Sequence, residues 1–487
     1  MNSVRIQSLE SAFSSLPKQK TASLCYVSSR HAHTKASSHR RNIHSSPHNE
    51  NSAAYPTFNS PAANAVSSPV PTRAEASALA FLPLSQILRS YLITAISSSP
   101  RLLDASSAVL RRMLESNNFL FSLEKNPLAR ALLYHTFYKQ FCAGSTPEQV
   151  SATSKQLRQQ GYGGVILEYA LEVLKDAEGN ELEDVANWQK GMLASVSIAN
   201  EGDFIGLKWS GMGPAALRLC AAQKEPSEAM DKAMKLVSKA AAEKGVCLLP
   251  SAEENWNLPG YHAWTLNLQR IFNREGKTVL YNTYQCYLKS APATLSKHID
   301  IAREEGFTLG AKLVRGAYLF SEERSLIHDT IEDTHASYDG MMSALIHRSY
   351  NPVVKPTSTE AASAAWPDSR VVIASHNANT VDLAQRLRQE QLSSGKELTP
   401  LVYAQLQGMA DEVSCSLLAA TRHNGGDETK VKEQVVKCIA WGSMTECLNY
   451  LLRRAAENKD AASRTSDTRK AMGSEILRRF RAMFGLA

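Results

Sequence analysis

From residue 161 onward, short apolar or β-branched runs alternate with longer segments whose apolar residues recur at three-to-four spacing. The runs are Gly164–Tyr169, Phe204–Trp209, Val246–Leu249, Thr278–Tyr284, Leu309–Arg315, Arg370–Ala374, Leu401–Gln405 and Val435–Ala440. Between them lie helical patterns such as Glu228–Lys244, Ala291–Glu305, Thr380–Gln391 and Asp411–Ala420. A period near two suits strands and a period near 3.6 suits helices, so the pattern predicts eight strand–helix units. Repeated βα units over this length predict an α/β fold, a (β/α)8 TIM-like barrel, rather than an open doubly wound sheet. Residues 75–158 show only helical spacing, in Leu84–Leu92, Leu102–Leu114 and Leu128–Phe141, and predict an N-terminal helical arm. The expected organisation is thus a leader and spacer over 1–74, the arm over 75–158, the barrel over 159–475 and a tail over 476–487. The Pro- and Ser-containing stretch Asn351–Pro367 reads as an insertion between the fifth and sixth strands.

Composition adds an address. Residues 1–50 hold seven Lys/Arg against Glu10 and Glu50, a net +5, which leaves only +2 for the rest of a chain whose total is +7. The basic character belongs to the N-terminus and not to a nucleic-acid-binding surface. A Ser-, Arg- and His-rich, acid-poor start without a continuous apolar core predicts a mitochondrial transit peptide; a tail with no address is the plainer alternative. Eight scattered cysteines with no C-x-x-C pair argue against both a disulfide framework and a zinc site. No metal is expected. No run approaches the eighteen or so apolar residues of a membrane span, so any membrane contact is expected to be peripheral.

Polar residues recur where barrel strands end, the side on which such folds carry their chemistry. They are Lys208; Ser251 and Glu253; Gln285 and Lys289; Lys312, Arg315 and Tyr318; His376 and Asn377; and Gln405 and Gln407. Any one of them reads equally well as a satisfied core group. A buried unpaired polar group costs about 1–3 kcal/mol, so their recurrence on six strands points to a shared pocket. In Arg315-Gly-Ala-Tyr318 the small residues allow close backbone approach to a flat ring or phosphate, or make a tight turn. After the last strand, Tyr450, Arg453 and Glu457 fall on one helix face. Adjacent Arg453 and Arg454 there present planar donor forks to a carboxylate, with a surface salt bridge as the plain alternative. Gly211-Met-Gly-Pro-Ala-Ala216 imitates a dinucleotide-binding turn, but lacks a clear acidic strand end downstream. His328 and His335 are expected to face solvent.

Five stretches, in order, resemble the proline dehydrogenase family in its monofunctional, eukaryotic, fungal-like form. They are Tyr281–Lys289, Lys312–Leu319, Ala374–Thr380, Gln405–Asp411 and Tyr450–Asn458. The resemblance implies non-covalent FAD, oxidation of L-proline to Δ1-pyrroline-5-carboxylate by hydride transfer to flavin N5, and ubiquinone as electron acceptor. It also implies a matrix-side, peripheral inner-membrane location. Carried over to this chain, Gln285, Lys312, Val314, Arg315, Gly316, Ala317, Ser375, His376 and Asn377 would hold the cofactor. Lys208, Tyr318, Leu406, Cys438, Tyr450, Arg453 and Arg454 would form the substrate site, with Glu457 positioning an arginine. Two departures keep hydroxyproline open as the substrate: Ser251 stands where the family usually has Asp, and Cys438 where a Tyr commonly packs on the substrate ring.

Overall fold

The computed structural model describes residues 77–485 except 117, 119–122, 124, 171–178, 424–426 and 458–461. The side chains of 455–457 and 462–464 are likewise outside the description. The expected leader over 1–74 therefore lies outside the described residues.

Among the described residues, nine parallel strands form one sheet. In chain order they are β1 Cys142–Gly144, β2 Gly164–Tyr169, β3 Phe204–Leu207, β4 Cys247–Pro250, β5 Asn282–Gln285, β6 Leu309–Val314, β7 Ser369–Ala374, β8 Leu401–Leu406 and β9 Gln434–Trp441. Their order, β4-β3-β2-β9-β8-β7-β6-β5, becomes a ring where Leu248 bridges Leu280 between β4 and the approach to β5. β2–β9 are the eight units expected from periodicity, which makes the fold a (β/α)8 barrel. β1 was not anticipated. It has three residues, too few for a period to register, and it pairs parallel to β9 outside the ring.

Local sequence explains the helices. Ser227 caps Glu228–Lys244 by accepting from the Met230 amide, and Gly245 ends that helix in the left-handed conformation, φ 69°. Asn377 caps Ala378–Ser393 through the Thr380 amide. The long connection after β6 carries the helix Ile331–His347, and the expected insertion 351–367 contains a short helix, Thr359–Ser363.

The barrel interior holds Ile166, Phe204, Leu249, Tyr281, Val372, Val402, Ala404 and Val436. Strand side chains alternate between faces, so continuing each inward row in steps of two residues leads out of this core and into the C-terminal mouth. The rows end on Glu168, Lys208, Ser251, Gln285, Lys312, His376, Leu406 and Cys438. One geometric rule thus delivers most of the candidate chemistry to a single place.

The arm comprises helices Leu84–Ser97, Pro100–Glu115 and Pro127–Leu133, followed by a π-turn over Tyr134–Tyr138. It docks on the last barrel helix, Met444–Glu457, through Leu110, Leu123, Leu133 and Leu448. The Tyr138 hydroxyl donates to the Gly442 carbonyl at 3.0 Å. The terminal helix Ala462–Met483 runs antiparallel to Leu84–Ser97: Arg469 donates to Ser98 Oγ at one end, and Arg479 to the carbonyls of Leu79, Ala80 and Leu82 at the other. The boundary expected at 475/476 falls inside this helix.

Glu475 anchors the clasp. Burial raises its carboxyl, but hydrogen bonds from Arg478, Arg479 and Ser77 outweigh burial and bring it down to about 2. Because the folded value lies below the ordinary 4.5, this contribution to stability is complete above about 4.5 and is lost as the pH falls through about 2. Glu475→Gln should therefore narrow the gap between melting temperatures measured at neutral pH and at a pH of about 3. An unchanged gap would remove Glu475 from the clasp.

Candidate active site at the barrel mouth

Glu168 lies at the centre of the mouth. Its Oε2 accepts from the Tyr450 hydroxyl at 2.6 Å, and its Oε1 accepts from Ser251 Oγ at 3.1 Å. Cys438 Sγ is 3.7 Å from Oε2. Gly206 on the neighbouring strand makes room, since a Cβ there would lie 2.4 Å from Glu168 Cγ. Burial pushes the Glu168 carboxyl up. The Tyr450 hydrogen bond, the charges of Lys312 and Arg454 and the Ser251 hydroxyl together more than reverse this, leaving it below its ordinary value. A buried carboxylate is thus kept ionised by four groups from three separate elements.

Lys208 Nζ donates to the Tyr318 hydroxyl at 3.0 Å, and that hydroxyl donates to the Ala252 carbonyl at 3.0 Å. Burial raises Tyr318 to about 12 despite the opposing charge of Lys208. Ser251, in place of the family's usual Asp, binds Glu168, while Glu253 accepts from Ser210 at 2.6 Å. The Arg454 guanidinium stands 5.3 Å from the Tyr450 ring centroid, and its charge reaches both Glu168 and Tyr318. Arg454, four residues after Tyr450, thus joins it at Glu168. Of the expected face of Tyr450, Arg453 and Glu457, Arg453 is half-buried and lines neither of the two cavities described below, and the Glu457 side chain lies outside the described residues.

The candidate cofactor residues sit on β5–β7 and the loops that follow. Gln285 donates to the Glu253 carbonyl at 2.6 Å and accepts from the Ala317 amide at 3.1 Å. Arg315 donates to Ser375 Oγ and Thr380 Oγ1, each at 2.7 Å, and to His335 Nδ1 at 3.1 Å. His335 is thus a support for Arg315, not a solvent-facing residue; His328 is half-buried in the turn before that helix. Lys312 faces inward, Val314 follows it on the same row, and Ser375, His376 and Asn377 lead into the N-terminus of Ala378–Ser393. Gly316 is small for a local reason, because a Cβ would meet the Tyr287 ring at 2.4 Å. The dinucleotide-like turn is likewise filled by the protein: a Cβ at Gly211 would meet Trp188, and one at Gly213 would meet Asp184.

Two cavities meet at the Glu168–Tyr450 hydrogen bond, and both residues line each of them. A polar one, about 160 Å³, contains Lys208, Ser210, Ser251 and Glu253. An apolar one, about 210 Å³, runs past Leu406, Cys438 and Arg454 toward the arm.

Glu168 was the residue missed from sequence. Its signal was of the same kind as that of Lys208: a charge at the C-terminal end of an apolar strand run. It was hidden because Glu168-Tyr169 also reads as the polar edge of the strand.

The wall carrying Leu406 and Cys438 is fixed from behind. Lys437, on the outward row of β9, donates to Asp411 Oδ1 at 2.8 Å and to the Met409 carbonyl at 3.1 Å; the lysine and aspartate side chains are each 1 % exposed.

The geometry defines a (β/α)8-barrel protein with a charged pocket at the C-terminal mouth. The proline dehydrogenase family model matches residues 150–467, and the chain belongs to that family. It is 36% identical over 249 residues to human "Proline dehydrogenase 1, mitochondrial", covering 51% of this chain and 38% of the human one. It is 29% identical over 454 residues to "Probable proline dehydrogenase, mitochondrial" of Schizosaccharomyces pombe, covering 81% and 88%. The match thus spans well under half of the human relative and most of the fission-yeast one. Among solved structures, proline utilization A from Bdellovibrio bacteriovorus superimposes with a TM-score of 0.56 at 15% identity, over 77% of this chain and 41% of that one. At that identity the likeness is one of fold.

Removing one member of a buried ion pair costs about 3–5 kcal/mol, whereas replacing both with apolar groups is often neutral. Lys437→Met should lower unfolding free energy in urea by about that amount, and Lys437→Met with Asp411→Leu should recover much of it. Equal losses in the single and double variants would contradict the pairing.

Proposed function

We propose that this chain is a mitochondrial, FAD-dependent proline dehydrogenase. It oxidises L-proline to Δ1-pyrroline-5-carboxylate, the first step of proline catabolism, and passes the electrons to membrane ubiquinone. The observation that carries the reading is the convergence of Lys208, Tyr318, Glu168, Tyr450, Lys312 and Arg454 at one barrel mouth, in a chain of this family.

The residues present fit a flavin nucleotide held without a covalent bond. Arg315, the hydroxyls of Ser375 and Thr380 and the N-terminus of a 16-residue helix make a donor-rich, positive set suited to a diphosphate. Gln285, Lys312, Val314, Gly316 and Ala317 would line the ring, and His376 and Asn377 the chain that joins it to the diphosphate. When bound, the flavin supplies a two-electron acceptor for the hydride lost from the carbon beside the amine.

The chain's own part is orientation. Arg454, with Arg453 beside it, would hold the substrate carboxylate, and Glu457 would position an arginine. Lys208 and Tyr318 would supply polar contacts, Leu406 and Tyr450 would bound the ring, and closure of the mouth by the last helix would exclude water.

A mitochondrial address is supported by the basic, acid-poor N-terminus and by the relatives' names. No helix among the described residues is long and apolar enough to cross a membrane. Peripheral attachment at the matrix face of the inner membrane is supported by the clasped helices. They expose Leu84, Leu88 and Tyr91 on one and Leu477 and Phe480 on the other, with Arg478 and Arg481 alongside and exposed Phe484 just beyond.

Hydroxyproline is the second reading, favoured by Cys438. A small side chain there leaves the Glu168 carboxylate within reach of a ring hydroxyl. Comparing kcat/KM for L-proline and trans-4-hydroxy-L-proline on flavin-loaded protein decides between them, and the first reading requires proline to be preferred. Arg454→Met should raise KM for proline about 10- to 100-fold with flavin content unchanged, the scale of a hydrogen bond between charged groups. An unchanged KM would refute the carboxylate clamp.

A further inference from the structure

The inner end of the apolar cavity belongs to the candidate substrate site, since Leu406, Cys438, Tyr450 and Arg454 line it, but its outer part toward the arm is not accounted for by the substrate and cofactor residues. Of the candidate cofactor set only His376 lines it, so it is not the flavin's own space. It starts at the Glu168–Tyr450 partition, beside Leu406 and Cys438. From there it extends between the last barrel helix, the arm helices Leu84–Ser97 and Pro100–Glu115, and the terminal helix, where Ile93, Leu103, Leu110 and Phe137 form apolar wall.

Among the polar groups on this wall, Glu412 and Gln407 each have a buried oxygen left over. Glu412 accepts from the Thr468 hydroxyl at 3.0 Å through Oε1, but its buried Oε2 has no hydrogen-bond partner. The buried side-chain oxygen of Gln407 also has none. Buried polar atoms without partners are uncommon and costly, and two of them lining one apolar cavity mark a place for a ligand that is mostly apolar yet carries hydrogen-bonding oxygens. Burial and the charge of Asp411 hold the Glu412 carboxyl above its ordinary value, which favours the protonated form that can donate as well as accept.

We propose that this cavity binds the electron acceptor of the reaction proposed above, a quinone whose ring oxygens meet Glu412 and Gln407 and whose apolar tail leaves between the arm helices. Quinol hydroxyls can donate to the unpartnered Glu412 and Gln407 oxygens, and the Gln407 side-chain N–H can donate to a quinone carbonyl, so both oxidation states are accommodated. The exchange balances without a further reactant. Proline loses two electrons and two protons on becoming the pyrroline carboxylate, and the quinone gains two of each on becoming the quinol. The helices that form the outer wall, Leu84–Ser97 and Ala462–Met483, are those that expose apolar side chains to the surroundings, so a bilayer-dissolved molecule would meet the cavity where the chain meets the bilayer.

The test uses the full flavin-loaded chain, decylubiquinone as probe, and the variants Ser107→Trp, which fills the arm side of the cavity, and Glu412→Gln, which alters its carboxyl. Equilibrium binding of decylubiquinone is measured by ultrafiltration. Proline-driven turnover with decylubiquinone is measured as a ratio to turnover with a water-soluble dye in the same sample. Each variant should weaken binding and lower the quinone-to-dye ratio about tenfold, the loss of roughly one hydrogen bond or of the space for a ring. Binding and ratio equal to the parent's in Ser107→Trp would overturn the proposal, and in Glu412→Gln would remove the carboxyl from it. Failure of the parent to oxidise proline with any acceptor would defeat the proline reading instead, while the binding measurement would still decide the cavity.

Discussion

A carboxylate inside the barrel mouth is the constraint on which this site depends. Glu168 sits where burial disfavours its charge, and it stays ionised because a hydroxyl from the last helix, a hydroxyl from the loop after β4 and cations from β6 and the last helix converge on it. That convergence requires Gly206 to yield space on the next strand. It also requires Met444–Glu457 to lie across the mouth, because Tyr450 reaches Glu168 only from there. The arm is part of the same arrangement, since its apolar face packs against that helix and the terminal helix is clasped to it in turn.

The Tyr450–Glu168 hydrogen bond also divides the interior. On one side is a small polar space with Lys208, Ser210 and Glu253, suited to a charged molecule. On the other is a larger apolar one ending in Glu412 and Gln407. The proposed reaction, which takes electrons from a zwitterion and hands them to a lipid-soluble acceptor, would use both kinds of environment. Here the barrel strands provide the first, and the arm together with the last two helices provides much of the second. On that proposal the arm serves the chemistry as well as the stability of the chain.

The barrel was legible because its strands are buried on both faces and its helices on one, so that apolar runs and amphipathic stretches separate cleanly from β2 to β9. The inward rows were legible for the same reason: two-residue alternation brings Lys208, Gln285, Lys312, His376 and Leu406 to the mouth once the strands are placed. Pairings across the barrel were not. Arg454 stands over the Tyr450 ring because the helix turns Tyr450 toward Glu168, a residue distant in sequence. His335 looked like a surface residue until the guanidinium of Arg315 was placed beside it. The glycines at 211, 213 and 316 imitate ligand-binding turns, yet each makes room for a side chain of the protein itself: Trp188, Asp184 and Tyr287. Spacing along a chain does not distinguish space left for a ligand from space left for a neighbour.

The most direct test of the account is an anaerobic titration of the purified chain with L-proline, followed through the visible flavin absorbance. The account predicts that the protein carries flavin and that proline alone bleaches the band, with Δ1-pyrroline-5-carboxylate formed in equal amount. A chain that takes up no flavin on reconstitution, or whose flavin stays oxidised in excess proline, would contradict it.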